Sequence, residues 1–123
     1  MAIHKILIVD DSPTERYYLT DILVKNGFSV STADNGEEAL ARIKADKPEL
    51  ILMDVVMPGA NGFQVTRSIA RDPELANVPI IICSSKNQET DRIWGLRQGA
   101  RDYLVKPVDP TLLLAKIATL GAA

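Results

Sequence analysis

Cysteine and histidine each occur once in this chain of 123 residues. The lone Cys83 excludes an internal disulfide and suits a reducing compartment. His4 precedes the first apolar run, where neither a base nor a metal ligand is expected of it. No apolar stretch approaches the ~20 residues that span a bilayer. The opening MAIHK leads straight into an apolar run and lacks the core of a signal peptide. Charge of one sign is also scarce: the net value is -2, so bulk electrostatics give no route to nucleic acid. Internal repeats, low-complexity tracts and linkers are missing. These absences predict one cytoplasmic domain over residues 1–123, monomeric, with no separate output domain, no nucleic-acid partner and no membrane insertion.

What the chain does have is an apolar share of 46%, ordinary for a folded globular domain. Short apolar runs alternate with amphipathic stretches. The pattern predicts strands near 4–10, 28–33, 49–54, 79–84 and 102–106, and helices near 13–26, 36–45, 62–71, 88–98 and 110–120. Runs such as ILIV and IIIC are apolar at consecutive positions, as in strands covered on both faces. Strands alternating with helices give right-handed crossovers and a doubly wound α/β fold with a parallel sheet. Ser12-Pro13-Thr14-Glu15 predicts a capping box with proline at the first helical position. Asp109-Pro110 opens the last helix in the same manner, and Gly27 and Gly99 suit left-handed C-caps.

The strand ends carry the chemistry. Asp10 and Asp11 end KILIV, Asp54 ends ELILM, Ser84 ends PIIIC and Lys106 ends DYLV. In open α/β sheets ligands bind beyond the carboxyl ends of the strands, so these five side chains are expected to converge on one crevice. Clustered carboxylates resist ionising together, and a cation relieves them. Oxygen ligands of this kind suit magnesium, which takes one or two carboxylates, several waters and a phosphate oxygen. Asp54 is then the nucleophile, forming an aspartyl phosphate, with Lys106 and Ser84 on the remaining phosphoryl oxygens.

The motifs LIVDDS (7–12), LILMDVVMPGANG (50–62), IIICSSK (80–86) and YLVKPVD (103–109) resemble those of response-regulator receiver domains, of the stand-alone CheY-like chemotaxis type, over essentially the whole chain. The resemblance implies a five-stranded flavodoxin-like sheet of order 2-1-3-4-5 and a cis bond between Lys106 and Pro107. It makes Asp54 the phosphoacceptor, with Asp10, Asp11 and the backbone carbonyl of Val56 as further magnesium ligands. Lys106 matches the active-site lysine, Ser84 the switch hydroxyl and Tyr103 the switch aromatic. A histidine kinase of the chemotaxis type is the implied phosphodonor, and an output protein would bind at helix 4, strand 5 and helix 5. SPTE (12–15), GFQVTR (62–67) and the stretch from Lys86 to Asp109 look most like receivers of the PilH type, from the chemosensory pathway that controls type IV pili and twitching motility. Beyond its own phosphorylation and dephosphorylation no enzyme activity is expected.

Blander readings stand beside these. Asp10 and Asp11 could be solvated strand-end residues, Asp54 a loop cap, Ser84 a partner for backbone groups and Lys106 a surface lysine. Tyr103 could pack its ring and leave the hydroxyl wet. On the fourth helix Ile93, Leu96 and Ala100 form the better sheet-facing stripe, which leaves Trp94 at its flank. Cys83 reads as inert core. Among functions, a phosphate sink that drains the kinase without an output partner would use the same site. A flavodoxin-type electron carrier shares the sheet order, but Asp10-Asp11-Ser12 repels a flavin phosphate. A haloacid-dehalogenase phosphatase normally has an aspartate two residues after its nucleophile, where this chain has Val56.

Overall fold

In the computed structural model, which describes residues 2–59 and 61–122, five strands and five helices alternate. They are β1 (Lys5–Val9), α1 (Pro13–Lys25), β2 (Ser29–Ala33), α2 (Gly36–Ala45), β3 (Leu50–Met53), α3 (Gly62–Arg71), β4 (Ile80–Ser84), α4 (Glu89–Arg97), β5 (Asp102–Val105) and α5 (Pro110–Ala122). The strands are all parallel and pair in the order β2-β1-β3-β4-β5. Ala60, inside one of the motifs quoted above, lies outside the described residues.

Strand periodicity divides the core in two. Leu7, Val9, Ile51, Met53, Ile80 and Ile82 face one side and pack with Ala39 and Ile43 of α2 and Phe63, Val65 and Ile69 of α3. Ile6, Ile8, Leu50, Leu52, Ile81 and Cys83 face the other and pack with Leu19 and Leu23 of α1 and Leu113 and Ile117 of α5. A sheet buried on both faces needs such consecutive apolar residues, which is why β1, β3 and β4 lack polar alternation. Cys83 is fully enclosed, and burial pushes its thiol up to about 12, so it is inert core.

Helix ends follow the side chains before them. Asn35 caps α2, and Asn61 and Gln64 form a capping box on α3. Asp109 Oδ1 accepts from the Thr111 N–H at 2.9 Å, as expected. The box expected at Ser12 is only half formed. Ser12 Oγ accepts from the Glu15 N–H, but the Ser12 N–H donates to Asp10 Oδ1 at 2.9 Å. Glu15 therefore loses its capping partner, and its Oε2 is buried without a hydrogen bond.

The fourth helix also corrects an expectation. Ile93 is 42% exposed rather than sheet-facing, and Trp94 beside it is 49% exposed. The residue pressed on the sheet is Gly95; a Cβ there would lie 2.8 Å from Ile82 Cδ1 and 3.1 Å from Tyr103 Cδ2. Close approach, not hydrophobicity, selects the buried face, and an apolar stripe cannot reveal that.

Candidate functional site

The sheet ladder continues one residue past the strands and carries the acidic groups with it. The Asp10 N–H donates to the Ala33 carbonyl at 3.0 Å, and the Asp54 N–H to the Val9 carbonyl at 2.8 Å. On the other flank the Lys106 N–H donates to the Ser84 carbonyl at 2.8 Å. Asp10, Asp54, Ser84 and Lys106 thus share one edge of the sheet, where β1 and β3 are neighbours and strand order reverses. The bond between Lys106 and Pro107 is cis.

Asp10 and Asp54 are buried, while Asp11 is exposed. Even so, the carboxylates of Asp10, Asp11 and Asp54 each bring an oxygen within 4.8 Å of the others. Lys106, with its side chain 14% exposed, reaches across the sheet to this group. Its Nζ lies 2.7 Å from Asp10 Oδ2 and 3.2 Å from Asp54 Oδ1. Burial and the neighbouring Asp10 raise the pKa of Asp54, against the opposing pull of Lys106. Burial works against the Lys106 ammonium, but hydrogen bonding to Asp10 and the charges of both aspartates outweigh it, and its pKa is raised. The pocket demands positive charge. Its oxygen-only donors fit a hard divalent cation.

Two features of this edge escaped the sequence. The Arg16 guanidinium donates to the Asp10 carbonyl at 2.8 Å, which steadies the acidic turn. Gly62 closes the loop after Asp54: its N–H donates to the Val55 carbonyl at 2.9 Å, and a Cβ on it would collide with the Asp54 carbonyl. A glycine opening a helix carries no mark of such closeness. Val56 lies within this loop with its side chain on the surface.

At the end of β4, Ser84 is enclosed, and its Oγ accepts from the Lys86 N–H at 3.1 Å. Tyr103 is also inside, and its hydroxyl donates to the Lys86 carbonyl at 2.8 Å rather than to water. Burial raises its pKa, while the adjacent Ser84 hydroxyl acts in the opposite sense. Lys86 therefore ties Ser84 to Tyr103 through the backbone of the β4–α4 loop.

Residues 6–118 match the response regulator receiver domain, and the chain belongs to that family. It is a signalling regulator of the two-component type with the five-stranded parallel receiver fold. Among particular proteins, it is 56% identical over 113 residues to Protein PilH of Pseudomonas aeruginosa, which covers 92% of this chain and 93% of PilH. It is 40% identical over 116 residues to the response regulator PleD of Caulobacter vibrioides, where it spans only 26% of the longer protein. The structure of the chemotaxis response regulator CheY4 of Vibrio cholerae superposes with a TM-score of 0.88 at 30% identity, covering 97% of this chain and 99% of CheY4. None of the described helices is long and apolar enough to cross a membrane.

Proposed function

We propose that this chain is a single receiver unit that accepts a phosphoryl group on Asp54 from a histidine kinase of the chemotaxis type. The observation that carries the reading is the clamp of Lys106 between the buried carboxylates of Asp10 and Asp54 at the sheet's reversal point. Asp10, Asp11, Asp54 and the backbone carbonyl of Val56 would hold magnesium, which when bound neutralises charge on the carboxylates and the phosphoryl oxygens. A carboxylate oxygen of Asp54 attacks phosphorus in line with the bond to the donor histidine. That P–N bond breaks, and its electron pair returns to the imidazole. Lys106 exchanges its contact with Asp54 for a phosphoryl oxygen, and Ser84 donates its hydroxyl to another. Hydrolysis of the aspartyl phosphate by water resets the chain.

The signal is read at α4, β5 and α5, where Ile93, Trp94, Val105 and Leu112 are exposed apolar side chains. Tyr103 already occupies the inner position, held on the Lys86 carbonyl. Phosphorylation therefore holds an arrangement the chain already visits, in place of drawing the ring inward from outside. The likeness to PilH supports a place in chemosensory control of type IV pili and twitching motility. A cytoplasmic monomer fits this role. A phosphate sink would use the same site without the output face, and the exposed Trp94 favours the output reading.

Beryllofluoride with magnesium, an acyl-phosphate mimic, tests the reading. Saturation is expected to change Trp94 fluorescence and the amide spectrum of α4, and Ser84→Ala to blunt both changes. If α4 stays unchanged on saturation, the output reading fails and phosphate draining takes its place.

A further inference from the structure

Glu15, in the first turn of α1, has no part in the chemistry described above. Its Oε2 is buried without a hydrogen bond, and its charge reaches the enclosed Cys83 thiol in β4. A carboxylate oxygen left in that condition costs free energy. The bland explanation is favourable interaction with the α1 dipole, which accounts for an acid in the first turn. It does not account for the inward turn, because an exposed carboxylate gains the same interaction and keeps its water.

A second observation lies on Asp10, where both carboxylate oxygens already accept hydrogen bonds. Oδ1 takes the Ser12 N–H at 2.9 Å and Oδ2 takes Lys106 Nζ at 2.7 Å. When Asp10 turns to a cation, its lone pairs are drawn away from both donors. Lys106 keeps a second partner in Asp54 at 3.2 Å. The Ser12 N–H has no second partner among the described residues, and it is the group that the third residue of a capping box takes up. Half of that box already stands, since Ser12 Oγ accepts from the Glu15 N–H at 3.3 Å. Glu15 is thus an acceptor without a donor, three residues from a donor that metal uptake sets free.

We infer that Glu15 is a positioning residue for the magnesium site: as Asp10 turns to the cation, the Ser12 N–H passes from Asp10 Oδ1 to the Glu15 carboxylate and completes the capping box of α1. The inference rests on the magnesium reading of the pocket given under the proposed function. The exchange frees Asp10 with no net loss of hydrogen bonds and gives the orphaned carboxylate a partner, so Glu15 raises magnesium affinity. It also ties cation uptake to the start of α1.

The test titrates magnesium into the parent, Glu15→Ala and Glu15→Gln, following amide shifts and hydrogen exchange at residue 12, with circular dichroism to check the fold. Glu15→Ala is expected to weaken magnesium binding about fivefold, the worth of one helix-cap hydrogen bond. Glu15→Gln keeps an acceptor oxygen without the charge and should stay within about twofold of the parent. In EDTA the Ser12 amide should be protected in all three proteins, because Asp10 holds it. At saturating magnesium it should stay protected in the parent and in Glu15→Gln, and become open to exchange in Glu15→Ala. Equal weakening in both variants would show that Glu15 acts by charge alone and would overturn the exchange of partners. Unchanged affinity in Glu15→Ala, or a Ser12 amide protected in that variant at saturation, would overturn it as well while leaving the metal site standing. A parent that binds no magnesium would remove the metal site and this inference together.

Discussion

Replacing Lys106 with methionine keeps the length of the stem and removes the ammonium. Asp10 and Asp54, both buried, then lose the cation that sits 2.7 and 3.2 Å from their oxygens. Breaking a buried ion pair by deleting one partner costs about 3–5 kcal/mol. That is a large share of the roughly 5–15 kcal/mol that holds a domain of this size. Part of the cost can be escaped by protonation, because the pKa of Asp54 is already raised by burial and by Asp10, and it rises further without Lys106. A carboxyl with its folded pKa above its unfolded value favours the fold when protonated, and that advantage is lost as pH rises through the folded pKa. The defect of Lys106→Met should therefore be larger at about pH 8 than at about pH 4, where carboxyls begin to protonate. In the parent, the raised pKa of Lys106 gives stability fully present below its ordinary value and lost as pH climbs through the raised one.

Urea denaturation at both pH values, with and without magnesium, reads these terms. Lysine and cation compete for the same oxygens, so the variant should bind magnesium more tightly than the parent. A ligand at ~100 times its Kd returns about 2.7 kcal/mol, and the variant should recover more than the parent does at equal magnesium. A loss under about 1 kcal/mol, independent of pH and with equal magnesium increments in both proteins, would show that the clamp is not the main partner of these carboxylates.

Two further changes probe the same edge. Asp11→Ala removes a proposed ligand and relieves like-charge repulsion, so magnesium affinity should fall while stability in metal-free buffer rises; a magnesium titration and a thermal melt report each. Gly62→Ala drives a Cβ into the Asp54 carbonyl, where backbone, not a flexible side chain, must yield. It should cost about 1–3 kcal/mol by urea denaturation and slow phosphorylation, whereas near-parental values for both would mean that the loop is looser than its geometry.

The elements and the edge were legible because each rests on local pattern. Consecutive apolar residues mark β1, β3 and β4, and the polar residue that ends each run lies at the sheet edge in the structure. The strand order came from the resemblance of LIVDDS and its companion motifs, since periodicity alone does not order parallel strands. What stayed hidden depends on contacts between distant segments. Asp10 took the Ser12 N–H that a local capping box would have used. Gly95, not Ile93, faces the sheet, because Ile82 and Tyr103 leave no space for a side chain. The Lys86 carbonyl receives the Tyr103 hydroxyl across seventeen residues, which no spacing rule anticipates.

The central claim is that Asp54 is the residue that takes up phosphate. Incubation of the chain with magnesium and acetyl phosphate, followed by borohydride trapping and peptide mass mapping, tests it most directly. The account predicts one phosphoryl group per chain, located on Asp54, dependent on magnesium and abolished by Asp54→Asn. Undiminished labelling of Asp54→Asn, or a label mapped to another residue in the parent, would contradict it.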